Sequence, residues 1–250
     1  LRKLRQAIGA FNAEDLSFVA TLGDIIDRHW DSFGDIMPVY DGLRHEARFV
    51  LGNHDFDVAA QYLPSVVAAA RMDAPWYDFL KGDTRFIVLD GNDISLFSTP
   101  DGSERRALAV ERLARLRETG ASNAQGWNGS VGETQMRWLD ERLAAADAAG
   151  ERAIVLCHYP VFPQNDHNLW NSGEIVDLVL SHRSFAVWMN GHNHAGNYGE
   201  LDRRHFVNFR GMVDTPDTSA YAIVTLQADR MEIAGFGREE NRTLKLTAVT

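Results

Sequence analysis

The hydrophobic period changes several times along the chain, and each change predicts a change of element. Leu1, Leu4, Ile8 and Phe11 recur at helical spacing with charged residues between them, so the chain opens on an amphipathic helix. Leu16 to Leu22 (LSFVATL) is an almost unbroken apolar run of strand length. A helical stretch from about Ser32 to Leu43 follows, and Arg48 to Leu51 predicts a second strand. Strand, helix, strand is the unit of a parallel sheet. Trp76 to Asp90 reads as a hairpin turning at Lys81-Gly82-Asp83, which adds an antiparallel portion. Glu104 to Glu118 and Glu133 to Ala149 are rich in strong helix formers, with Met136, Leu139 and Leu143 along one stripe. Ala153 to Cys157 (AIVLC) predicts a buried strand, Glu174 to Leu180 a helix, and Phe185 to Met189 another strand. From Glu200 onward, alternating segments such as Tyr221 to Leu226 and Arg230 to Phe236 predict antiparallel strands closing a second sheet. The expected class is α/β, two stacked mixed sheets with helices outside.

Composition narrows the function classes. No linker rich in Pro, Ser or Gly interrupts the 250 residues and no repeat recurs, which predicts one domain over residues 1–250. No apolar run approaches the roughly 18 residues that a spanning helix needs, so no membrane partner is expected. The formal net charge of −10 offers no broad attraction for nucleic acid or an anionic surface. An anionic substrate would therefore require a local cation. The single cysteine, Cys157, has no intramolecular partner, which favours a reducing compartment and a cytoplasmic location.

The polar motifs fall immediately after predicted strands. Gly23-Asp24-Ile25-Ile26-Asp27 follows LSFVATL, and Gly52-Asn53-His54-Asp55 follows ARFVL. His158 follows AIVLC, and Gly191-His192-Asn193-His194 follows FAVWM. Carboxyl ends of strands in open α/β sheets are where ligand sites assemble, so four separated motifs converge on one rim. Together they offer Asp, Asn and His, a donor set suited to Mn, Fe, Co or Zn. Paired cations of that kind activate water and neutralise phosphoryl oxygens.

In these four motifs, taken in order, the chain resembles the calcineurin-like metallophosphoesterases. The resemblance implies a four-layer αββα sandwich and two divalent metal ions. It further implies that Asp24 bridges the metals, that Asn53, His158 and His192 complete one metal site, and that His194 binds the other metal. His54 would contact the phosphate or protonate the leaving group, with Asp27 orienting it. Trp127-Asn128-Gly129, Cys157-His158-Tyr159-Pro160 and the segment from Arg210 to Pro216 (RGMVDTP) resemble the manganese-dependent ADP-ribose/CDP-alcohol diphosphatase branch. That implies Mn²⁺ and a nucleotide diphosphate substrate, cleaved by a metal-bridging hydroxide. The family pattern opens on a strand carrying D-x-H, or D-x-Q in this branch, whereas this chain opens on the helix that follows it. The expectation is that this strand lies upstream or that the chain holds one metal poorly.

Single residues carry little weight, since a lone Gly-Asp is usually a turn and a lone histidine usually structural; four ordered motifs outweigh that reading. His29, His45, His167, His182 and His205 match no ligand position and read as surface or structural residues, and Trp127 and Trp170 are equally suited to stacking and to packing. Two further readings compete with the diphosphatase: a phosphomonoesterase or cyclic-nucleotide phosphodiesterase on the same scaffold, and a non-catalytic metal-binding scaffold.

Overall fold

A computed structural model describes residues 1–247. Helix α1 (Arg2–Phe11) leads to β1 (Val19–Leu22), α2 (Ser32–Tyr40) and β2 (Ala47–Val50), and β1 and β2 pair in parallel. Apolar side chains of this part, including Ile8, Phe33, Met37, Phe49 and Leu51, pack into one core cluster under the two helices. Short helices α3 (Asn53–Phe56) and α4 (Val66–Ala69), with a 3₁₀ segment at Ala60–Ser65, carry the chain to the second sheet.

That sheet has six strands. The hairpin β3 (Tyr77–Lys81) and β4 (Thr84–Val88) forms one edge, and β7 (Arg152–Leu156) and β8 (Phe185–Asn190) lie at its centre. The hairpin β9 (Asn197–Leu201) and β10 (Arg204–Asn208) closes the far edge, giving the order β3-β4-β7-β8-β10-β9. The inner pairings are parallel and the two outer hairpins antiparallel. Every residue of β7 and β8 is buried, as expected of central strands covered on both faces.

One face of this sheet meets α6 (Glu133–Ala149) and α7 (Ser172–Leu180) through Val155, Trp188, Leu139, Leu143 and Ile175. The other face meets the remaining strands: Ile154, Leu156, Val187 and Met189 pack with Val50, Met231, Ile233 and Leu244. The last three belong to the antiparallel sheet β11 (Ala220–Leu226), β12 (Arg230–Gly237) and β13 (Arg242–Lys245). The layers are thus helix, strand, strand, helix. Among the described residues, β1 pairs only with β2 and β11 only with β12, and both strands line a cavity of about 1230 Å³. One end of that cavity reaches Asp24, His158 and His192.

The segment from Glu200 was expected to close the second sheet as a whole. Instead β9 and β10 extend the six-stranded sheet, because β10 pairs in parallel with β8, and only β11 to β13 form the other layer. A small two-stranded ladder, β5 (Ile94–Ser95) with β6 (Gly129–Ser130), was not expected; α5 (Glu104–Glu118) lies between its strands in sequence. The ladder holds residues 123–131 beside the rim of the large sheet, where the Trp170 indole Nε1–H donates to Gln125 O.

Candidate metal centre

All four motif turns lie at the carboxyl ends of strands: Asp24 after β1, Asn53 after β2, His158 after β7 and His192 after β8. The turns are tight enough to require glycine at two of them. A Cβ on Gly23 would lie 2.2 Å from His158 Nδ1, and one on Gly52 would lie 2.2 Å from Asp24 Oδ1. Asp24 and His192 themselves hold positive φ, 53° and 65°, a conformation that costs energy for residues with side chains and is concentrated at functional sites. Asp55 holds this corner together. Its carboxylate, fully buried, accepts from Ile26 N at 3.0 Å and from Gly52 N at 2.8 Å, so it ties the first turn to the second.

Asp24, His158 and His192 bring one donor atom each within 4.8 Å of one another. His158 Nε2 lies 3.3 Å from Asp24 Oδ2, 3.2 Å from Asn53 Oδ1 and 3.1 Å from His192 Nδ1. The protons on the two rings can be placed from their other partners. His158 Nδ1 is 2.7 Å from Leu22 O, which can only accept, so the proton is on Nδ1 and Nε2 presents a lone pair. His192 Nε2 is 2.9 Å from Asn128 Oδ1, which likewise only accepts, so Nδ1 presents a lone pair. Two imidazole lone pairs, a carboxylate and an amide oxygen therefore converge with no donor among them. A cation satisfies that set, and Asp, Asn and His fit a divalent ion such as Mn²⁺ or Zn²⁺.

The electrostatics agree with that geometry. Burial alone would raise the Asp24 carboxyl, but the neighbouring His158, His54 and His192 hold it well below the usual carboxylate range. Burial would lower His158, and Asp24 beside it reverses the direction. His192 is pushed well below the ordinary histidine value by burial and by His158. Asp55 is raised to about 7 by burial and by the Asp24 charge.

His54 lies on the same rim. Its backbone N–H donates to Asp24 Oδ1 at 3.0 Å, and its Nδ1 lies 2.7 Å from Asp27 Oδ1. Arg28, at φ 64°, donates to His54 Nε2 at 3.1 Å and also pairs with Asp57 at 3.1 Å. A substrate oxygen that reached Nε2 would displace the guanidinium. His194 stands outside the four-residue cluster: its Nδ1 lies 3.4 Å from Asp214, which Arg238 pairs with at 2.9 Å. It still lines the cleft of about 360 Å³ that opens over Asp24, Asn53, His54 and His192.

Two residues that patterning could not place also line this cleft. Trp127, 46 % exposed, stands at its wall, whereas Trp170 is buried. His167 was expected in a solvated loop; it lines the cleft, with its ring centroid 5.3 Å from that of His192. Loop positions far apart in sequence leave no periodic signal, so only the fold brings them to the rim.

The family described as calcineurin-like phosphoesterase matches residues 1–196, which takes in all four motifs. The chain belongs to that family. Curated relatives include a manganese-dependent ADP-ribose/CDP-alcohol diphosphatase of Mus musculus, 26% identical over 90% of this chain and 78% of its own length. One of the same description from Arabidopsis thaliana is 25% identical, over 95% of this chain and 85% of its own length. Among solved structures, a dimetal phosphatase from Danio rerio superposes with a TM-score of 0.88 at 26% identity, covering 98% of this chain and 89% of that one. GAP50, the anchor in the inner membrane complex of Plasmodium, shares the fold at a TM-score of 0.63 and 12% identity, covering 99% of this chain and 84% of that one. The implied four-layer fold is thereby confirmed for this phosphoesterase. No helix among the described residues is long and apolar enough to cross a membrane.

Proposed function

We propose that this phosphoesterase hydrolyses the diphosphate bond of nucleoside-diphosphate-linked small molecules, of the ADP-ribose or CDP-alcohol kind, with Mn²⁺ as its metal. The observation that carries the reading is the donor set of Asp24, Asn53, His158 and His192, closed on one side by the His54–Asp27 pair. Asp24, Asn53, His158 and His192 would hold one ion, and by the family resemblance Asp24 and His194, which both line the cleft, would serve a second. Bound there, divalent ions supply an activated hydroxide and neutralise charge on the phosphoryl oxygens.

The chain's own residues account for the rest. Asp27 accepts from His54 Nδ1 and so fixes the imidazole with Nε2 facing the cleft. Once an oxygen of the substrate replaces Arg28 at Nε2, His54 is placed to contact it and, with a proton taken from solvent at Nε2, to pass that proton to the departing phosphate. Arg28, freed from His54 and held by Asp57, remains beside the cleft as a positive partner for a second phosphate. Trp127 offers an exposed indole face to a base or ribose, at a stacking contribution of roughly 1–3 kcal/mol per base. A diphosphate flanked by a nucleoside uses all three features, whereas a simple monoester uses only the metals and His54. The names of the curated relatives point to the same substrate class.

The test is a panel of ADP-ribose, CDP-choline, nucleoside monophosphates and cyclic nucleotides at fixed Mn²⁺. Diphosphate compounds should be turned over preferentially, and His54→Ala should lower kcat by about 10²–10⁴-fold with Mn²⁺ affinity unchanged. Preference for a monoester or cyclic nucleotide would overturn the substrate class. Unchanged turnover in the variant would overturn the role of His54.

A further inference from the structure

We infer that Asn128 is a positioning residue that sets the tautomer and ring orientation of His192, and thereby turns the lone pair of His192 Nδ1 toward the metal. This rests on the metal-centre reading above, but its geometry is independent of any ion. Asn128 is fully buried, and both of its amide ends have a definite partner. Nδ2 donates to Asp166 O at 2.8 Å and to Asn123 O at 3.1 Å. Both are backbone carbonyls and can only accept, so the amide cannot be flipped without facing oxygen against oxygen. Oδ1 is therefore committed to His192 Nε2 at 2.9 Å, and that nitrogen must carry the proton.

The other polar atom at the ring edge is His158 Nε2, 3.1 Å from His192 Nδ1, and it leaves Nε2 to Asn128. The ring packs against Tyr159 at 4.5 Å, His158 at 4.9 Å and His167 at 5.3 Å between centroids. Tyr159 is itself fixed, donating its hydroxyl to Asn92 Oδ1 at 2.6 Å, so these faces limit how far the ring can tilt. They do not distinguish nitrogen from carbon at the ring edge. The Asn128 oxygen does so at Nε2, because a ring turned over would place a C–H against it. Histidines that bind metals are commonly fixed in this way, through a hydrogen bond from the nitrogen that does not bind.

The same amide ties the loop bearing Asn123 and Trp127 to the loop bearing Asp166 and His167. Both walls of the cleft therefore meet at the residue that orients one ligand. A merely structural role would consist of those two ties alone, and the acceptor and donor ends of Asn128 can be separated by substitution. Asn128→Asp keeps an oxygen opposite His192 Nε2 and removes both donors. Asn128→Ala removes everything.

The first readout is the ring itself, by long-range ¹H–¹⁵N correlation on metal-free protein labelled at histidine, with His192 assigned through His192→Gln. The expected signature is a single tautomer protonated at Nε2; protonation at Nδ1, or rapid exchange between the two, would overturn the proposal without any use of metal. The second is Mn²⁺ affinity by titration, expected to fall about 10- to 100-fold in Asn128→Ala and to stay within a few fold in Asn128→Asp. Asn128→Asp should lose thermal stability all the same. A folded Asn128→Ala with unaltered tautomer and affinity would reduce Asn128 to a loop tie. Should Asn128→Ala fail to fold, the tautomer of the unaltered protein and the affinity of Asn128→Asp still decide. Absence of Mn²⁺ binding by the unaltered protein would overturn the metal-centre reading instead, and the tautomer would still decide what Asn128 does.

Discussion

Buried carboxylates at the rim do different work according to what surrounds them. Asp24 stands among imidazoles and stays ionised, as a metal ligand must. Asp90 is more deeply buried and faces Asn92 and the nearby Asp93, and burial followed by the Asp93 charge pushes it up to about 7. Its oxygen accepts from Asn92 N at 2.9 Å and from Asn92 Nδ2 at 3.0 Å, and Asn92 in turn holds Tyr159 under the metal cluster. The sign of the pH effect follows. Between the ordinary value of 3.8 and about 7 the folded protein holds the Asp90 proton and the unfolded chain has lost it. Stability therefore falls as pH rises through that window, by up to about 1.4 kcal/mol per pH unit from this group. Asp90→Asn keeps an acceptor for Asn92 and removes the titration. Its melting temperature relative to the unaltered protein should climb from acid to neutral pH and level off above about 7. A difference that stays constant across the series would show that Asp90 ionises normally in the fold.

Elements whose burial repeats along the chain were legible before the fold was known, and elements defined by their partners were not. The boundaries expected for α5 and α6 match the structure, because helix formers and the apolar stripe of α6 begin and end together. The β3–β4 hairpin and the buried strands β7 and β8 were likewise visible in their apolar runs. LSFVATL was longer than the strand it contains: pairing with β2 begins only at Val19, so Leu16 and Phe18 are apolar without being part of the ladder. Nothing in β10 marks it as a partner of β8, since parallel pairing of that kind depends on chain geometry and not on composition. At the site, Asp24, Asn53, His158 and His192 were legible because each follows a strand, whereas Asn128 stood out only as part of a resembling segment, and what Asn128 and His167 touch is shown by the fold alone. The stripe of α6 offers an element-level test. Leu139 and Leu143 are fully buried against the face of the large sheet that α6 covers, and neither lines the cleft. Leu143→Ala should destabilise the protein by about 2–5 kcal/mol in urea melts. Mn²⁺ affinity should be unchanged, and a parallel loss of affinity would show that α6 supports the rim and not only the core.

At the scale of the whole molecule, the metal centre sits where two layers meet. Asp24 and Asn53 end strands of the β1–β2 pair, and His158 and His192 end strands of the six-stranded sheet, so one ion would join both layers. The pairing pattern makes that join consequential, because the two layers share packing at their faces and no ladder hydrogen bonds among the described residues. An ion bound only by the folded arrangement stabilises it by mass action, by about 2.7 kcal/mol at a hundredfold excess over its dissociation constant. For a chain of this length that corresponds to a rise in melting temperature of roughly 5–10 °C. Net charge complicates the reading, since a protein at −10 attracts cations diffusely without any site. The diffuse part is screened by salt, so the shift should be measured at about 0.15 M ionic strength, where the screening length is about 8 Å. Under those conditions Mn²⁺ should raise the melting temperature and EDTA should reverse it. In Asn53→Ala, which loses one amide oxygen of the cluster and leaves the net charge unchanged, most of the shift should disappear. A shift of equal size in the variant would place the stabilising ion elsewhere on the surface and leave the two layers joined by packing and by hydrogen bonds such as His158 Nδ1 to Leu22 O.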